Sequence, residues 1–148
     1  MRQIVLMLAL GVGTLVALGC GGGASPAGSD GQLRAAMKVL GLEYGSYLTA
    51  HNGAPPADEA AMRAYLQSRM ADLSEYGVKG VDDLLRPGRD GQPIKVVYGT
   101  KIVTPERSPY PWAAHEQTGV DGMRLVCDSR GGVYEIGDEE FTEQIPDN

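Results

Sequence analysis

From residue 30 onward the apolar positions follow two regimes. Up to about residue 73 they recur every three or four places: Leu33, Met37, Leu40, Tyr44, Tyr47 and Leu48, then Ala61 or Met62, Tyr65, Leu66, Met70 and Leu73. That spacing lines one face of a helix. It predicts a first helix over Asp30–His51 and a second over Asp58–Leu73, with Asp30 and Asp58 as N-caps whose carboxylates take a free backbone amide. Asn52-Gly53 ends the first helix by a left-handed exit, and Ala54-Pro55-Pro56 follows as a stiff turn. Gly41 and Gly45 each weaken that helix by about 1 kcal/mol relative to alanine. Close packing against another element would account for them. Glu75-Tyr76-Gly77 breaks the second helix. After a short turn at Val81–Leu85 and a loop at Arg86–Pro93, the β-formers take over. Strands are predicted at Ile94–Tyr98, Lys101–Thr104, Trp112–Gln117, Met123–Asp128 and Val133–Ile136, with turns at Thr118–Gly122 and Ser129–Gly132. Pro105, Pro109 and Pro111 forbid regular structure between the second and third. Asp138–Gln144 is a short helix or a tail. Helices first and strands later predict an α+β fold: two N-terminal helices packed on a three- to five-stranded antiparallel sheet.

Several of these segments together resemble a known family. The turn Gly53-Ala54-Pro55-Pro56 precedes a helix with Tyr65-Leu66, and Arg89-Asp90-Gly91-Gln92-Pro93 leads into Val96-Val97-Tyr98-Gly99. A Gly122–Glu135 hairpin closes the set. Over residues 33–136 the order is similar to the soluble part of bacterial pseudopilins and related pilin-like proteins. The resemblance implies a helix packed on an antiparallel sheet. That family's prepilin cleavage site, and the glutamate at its fifth mature position, have no counterpart here, so assembly into a pilus is not implied.

The first twenty residues carry a different signal. Arg2 is followed by an uncharged run from Ile4 to Leu18, interrupted by Gly11 and Gly13. The run has the length of a signal-peptide core and is shorter than the ~20 residues that span a bilayer. It ends in Ala17-Leu18-Gly19-Cys20, which resembles the lipobox of bacterial lipoproteins, although leucine commonly stands where Ala17 does. The resemblance implies that residues 1–19 are a cleaved signal peptide and that Cys20 becomes a lipidated N-terminus. It places the protein in the cell envelope, lipid-anchored to the inner or outer membrane. Two or more acyl chains anchor stably where one is marginal. Residues 20–31, rich in Gly, Ser and Pro, then read as a flexible tether, and residues 32–148 as a single small domain.

Composition removes several function classes. Loss of residues 1–19 would leave 12 basic against 19 acidic residues, a formal charge of −7. Such a surface is a poor nucleic-acid ligand, so no nucleic-acid partner is expected. With Cys20 lipidated, Cys127 has no partner for a disulfide, and in Leu125-Val126-Cys127 it reads as a small buried hydrophobe. His115-Glu116 is the most site-like pair. If residues 112–117 and 123–128 form a hairpin, His115 falls opposite Arg124 or Leu125, near Cys127, which permits a Cys127–His115–Asp128 nucleophilic set. A surface imidazole beside a buried thiol explains the same residues. Asp82-Asp83, Asp90 and Asp138-Glu139-Glu140 lack the alternating spacing of calcium loops and read as solvated surface. Tyr110 and Trp112 alternate with Pro109 and Pro111. Together with His115 they form either a binding edge for protein or glycan, or a lid packed over the sheet. No dinucleotide fingerprint, P-loop, serine elbow or zinc motif appears.

The expectation is therefore a membrane-anchored envelope lipoprotein with a non-enzymatic binding or scaffolding domain. No catalytic residue, metal or cofactor is assigned, and Cys20 is the lipidation site. Its partners would be membrane lipid, through Cys20, and another envelope protein. A small-molecule or glycan-binding module and a small cysteine-dependent enzyme are the alternatives.

Overall fold

The computed structural model describes residues 26–99 and 103–145. The leader, Cys20 and the Lys101–Ile102 half of the expected second strand lie outside the described residues.

Helix α1 runs from Pro26 to Ala50. It starts four residues ahead of Asp30, inside the segment read as tether. Proline suits a helix start, where its missing amide would have no intrahelical partner. Asp30, now one turn inside, pairs with Arg34 at 3.0 Å instead of capping. The exit is as expected: Asn52 and Gly53 take φ of 54° and 85°, and Gly53 N–H donates to the Leu48 carbonyl at 2.7 Å. Asp58 caps α2 (Glu59–Ser68) by accepting from Ala61 N–H at 2.8 Å. The single helix expected there is two, because Arg69 leaves helical geometry before α3 (Met70–Glu75) begins. A one-turn helix α4 follows at Val81–Leu84.

Four strands make one antiparallel meander in the order β1-β2-β3-β4: Lys95–Val96, Trp112–His115, Met123–Asp128 and Val133–Gly137. The protein is thus α+β, with four strands. Val103 and Thr104 are not in a strand; the Val103 carbonyl accepts from Trp112 N–H at 3.0 Å. Asp138–Gln144 is helix α5.

Side chains alternate across a strand, and β3 buries both sets. Leu125 and Cys127 join Met37, Leu40 and Tyr44 of α1 in the larger core, which also receives Met62 and Leu66 of α2, Leu73 of α3 and Leu84 of α4. Val126 joins Trp112, Ile136, Phe141 and Ile145 in a second core beneath α5. The second helix packs with α3 and α4, and it is α1 that lies along β2 and β3. The two α1 glycines explain that approach. A Cβ on Gly41 would stand 2.3 Å from the Asp128 carbonyl oxygen, and one on Gly45 would stand 2.0 Å from that of Ser129.

An ion-pair chain anchored on buried Glu116 ties the Arg86–Pro93 loop to the sheet. Glu116, fully enclosed, accepts from the Arg89 amide at 2.5 Å, from the Arg89 guanidinium at 2.8 Å and from Leu125 N–H at 2.8 Å. Arg89 also reaches Glu135 on β4 at 2.5 Å, and Glu135 pairs with Arg34 of α1 at 3.2 Å. Asp90 accepts from Thr118 and Gly119 amides, pinning the loop to the turn after β2.

Candidate functional site

Because α1 can approach the β3–β4 turn so closely, Ser129 and Arg130 come to rest at the helix surface. There they form one wall of a groove of about 700 Å³. Its floor is α1, at Val39, Leu42 and Ser46; α3 supplies the opposite wall through Asp72 and Glu75, continued by Tyr76 just past its end; Tyr110 stands beside Arg130. Leu42, Tyr76 and Tyr110 are 43%, 72% and 40% exposed. Large apolar side chains left in water and gathered on one concave surface mark an interaction site more often than scattered ones do.

The polar groups of the groove differ in how far they are committed. Arg69 pairs with Glu43 at 3.3 Å and with Asp72 at 2.5 Å. Ser46 and Thr49 donate their hydroxyls to the α1 carbonyls of Leu42 and Gly45, both at 3.0 Å. Arg130 lies over the Tyr110 ring at 5.3 Å and, among the described residues, pairs with no carboxylate. Its turn is built on Asp128, a buried carboxylate that accepts from Ser108 Oγ, Arg130 N–H, Gly132 N–H and Tyr134 OH at 2.7–2.9 Å. Burial raises the Asp128 pKa, and these four donors outweigh it, so the carboxyl sits below its usual range.

The candidate binding residues singled out from sequence fall in two places, the groove and the second core beneath α5. Tyr110 is on the groove. Trp112 is 1% exposed in the second core, edge-on to Tyr134 at 5.7 Å. Its indole Nε1 has no hydrogen-bond partner among the described residues. His115 is 5% exposed beneath α5, with Nδ1 2.8 Å from the Glu116 carbonyl oxygen and its ring edge-on to Phe141 at 4.9 Å. Burial pushes its pKa down to about 4; the Glu116 contact opposes this, and Lys95 and Arg124 add to it.

Across the ladder His115 faces Val126, and Ala114 faces Cys127. The expected register, with Arg124 or Leu125 opposite His115, is shifted. Asp90 draws Thr118 and Gly119 away from the ladder, and the chain reverses more tightly, at Val120–Met123. His115 and Cys127 therefore belong to opposite faces of the sheet, one against Phe141 and the other in the α1 core. Cys127 is fully enclosed, and burial pushes its thiol up to about 12. Asp128 is spent on the turn. The acidic clusters are likewise engaged: Asp82 with Arg63, Asp83 with the Lys79 amide, Asp138 with Arg124 and Glu140 with Arg107. Among the described residues, no group of three His, Cys, Asp or Glu converges as a metal site. No described helix is long and apolar enough to cross a membrane.

Sequence reasoning passed over Leu42, Tyr76 and Arg130. Leu42 lies off the main apolar stripe of α1, and that offset was the available signal. Tyr76 and Arg130 looked like parts of a helix break and a turn. No known protein family matches the chain, and neither does any curated protein or solved structure.

Proposed function

We propose that the protein is a lipid-anchored envelope lipoprotein whose domain binds or scaffolds another envelope protein without catalysis. The observation that supports this most is the division of its side chains. The groups with nucleophilic or acid–base potential, Cys127, His115 and Asp128, are buried and separated, while exposed Leu42, Tyr76 and Tyr110 share one groove. Cys20 behind Gly19 supplies the anchor in this reading. The likeness to pseudopilin domains bears on element order alone and contributes nothing to the choice of partner.

The test has two arms. Mass spectrometry of the mature protein should find an acylated Cys20, and Cys20→Ser should abolish both processing and membrane association. Unchanged processing and pelleting of that variant would overturn the anchor. Pulldown from solubilised envelope should recover a protein partner that Leu42→Ala and Tyr76→Ala release. Retention of a small molecule or glycan in its place would move the domain to that class.

A further inference from the structure

Resting on the reading of the domain as a binding module, we infer that the α1–α3 groove takes an extended peptide segment. The segment presents a carboxylate to Arg130 and an apolar side chain to Leu42 and Tyr76. Arg34, Arg63, Arg69, Arg89, Arg107 and Arg124 are each ion-paired within the protein. Arg130 has no such pair among the described residues. Arg86, also without a carboxylate, donates to Gln32 and lies away from this groove.

Arg130 is exposed yet well held. Its backbone amide donates to Asp128 at 2.8 Å, and its guanidinium rests on Tyr110. The guanidinium carbon lies 5.3 Å from the Tyr110 ring centroid, and among the described residues none of its side-chain N–H groups donates to a protein acceptor; that free fork matches a carboxylate. The apolar part of the ligand is called for by Leu42 and Tyr76, which flank the same cavity.

A sugar fits less well. The Tyr110 face is taken by Arg130, and the Ser46 and Thr49 hydroxyl protons are already donated within α1. A polyacidic partner is disfavoured by the net charge of −6. On the opposite wall Asp72 is neutralised by Arg69, while Glu75 has no ion pair among the described residues. A basic residue at the other end of the segment would meet it. The ligand is thus a peptide of mixed charge with an apolar residue between its charges.

Peptide-observed saturation-transfer NMR on the detergent-solubilised full chain tests this. The probe is a short end-blocked peptide with phenylalanine between a glutamate and a lysine; its control carries glutamine for glutamate. The phenylalanine ring should receive saturation. The control, and the Arg130→Gln variant with the original peptide, should each bind about tenfold more weakly, as loss of one charge-assisted contact predicts. Absence of saturation at millimolar peptide, equal binding of the control, or undiminished binding by Arg130→Gln overturns the proposal. A neutral trisaccharide saturated more strongly than the peptide overturns it in favour of glycan. If Arg130→Gln fails to fold, Tyr76→Ala, at a 72% exposed position, replaces it and should weaken binding. Capture of an envelope partner undisturbed by either substitution would sink the groove and leave the binding reading intact.

Discussion

At Gly45 two residue-scale effects oppose one another. Alanine there would favour the helix by about 1 kcal/mol, but its Cβ would lie 2.0 Å from a backbone oxygen that no rotamer change can move. Overpacking of this kind costs about 1–3 kcal/mol, and more against backbone. Gly45→Ala is expected to lower stability by about 2 kcal/mol net, near 8 °C in Tm for a domain of this size. Gly31, also inside α1, has nothing within 4 Å of such a Cβ. Gly31→Ala should therefore raise Tm by a few degrees, and thermal melts of the two variants moving in opposite directions check the argument. His115 yields a second prediction. Its ring titrates near 6.5 ordinarily and near 4 in the fold, so between those values the unfolded chain binds a proton that the folded chain refuses. Stability must then fall as pH drops through that window, by about 3 kcal/mol in all. Carboxylates held low, such as Asp128, lose their contribution at lower pH still. Urea unfolding of His115→Asn, measured from pH 7 to pH 4, should show a flatter decline than the parent; an identical slope would remove His115 as its source.

Among the elements, the Arg86–Pro93 loop has the least regular structure and the most polar anchoring. Removing the Arg89 side chain would leave Glu116 fully buried without its counter-charge, and breaking a buried pair on one side costs about 3–5 kcal/mol. Arg89→Ala is expected to destabilise on that scale by chemical denaturation, whereas Arg63→Ala, whose ion pairs are solvent-exposed, should change stability by less than about 1 kcal/mol. The contrast shows what a sequence can disclose. Periodic apolar spacing marked α1 and the α2–α3 stretch as helical, runs of β-formers marked the central strands, and the Asp58 cap and the Asn52-Gly53 exit were legible because their chemistry is local. Glu116 and Arg89 lie 27 residues apart, and nothing in their neighbours says that they meet. The same holds for the groove: Tyr110 stood out by alternating with prolines, but Arg130 and Tyr76 join it only when α1 has packed on β3. Trp112 carried the same local signal as Tyr110 and lies in a core: the register shifts between Trp112 and Ala114, and Trp112 joins the second core while Ala114 joins the first.

Taken as a whole molecule, the sheet is covered by α1 on one face and by α5 on the other, and Cys127 sits in the middle of it. This location makes its thiol a reporter of cooperativity. β3 pairs with β2 on one side and β4 on the other, Cys127 is 0% exposed in the α1 core, and burial holds the thiol near 12. Local fraying at α5 would expose Phe141 and Trp112 but not Cys127, which faces the other way. Exposure of Cys127 requires α1 to leave the sheet, and that removes the larger core and amounts to global unfolding. In the full chain carrying Cys20→Ser, Cys127 is the single thiol. Its labelling by a thiol reagent is expected to be slow in native buffer. Its rate should rise with urea with the same dependence as the global transition followed by far-UV circular dichroism, since both expose the same surface. Labelling that is rapid in native buffer, or independent of urea, would mean that α1 opens from β3 as a unit of its own. The groove, whose floor is α1 and whose wall is the β3–β4 turn, would then exist in only part of the population, and a ligand bridging Arg130 and Leu42 should slow the labelling in proportion to its occupancy.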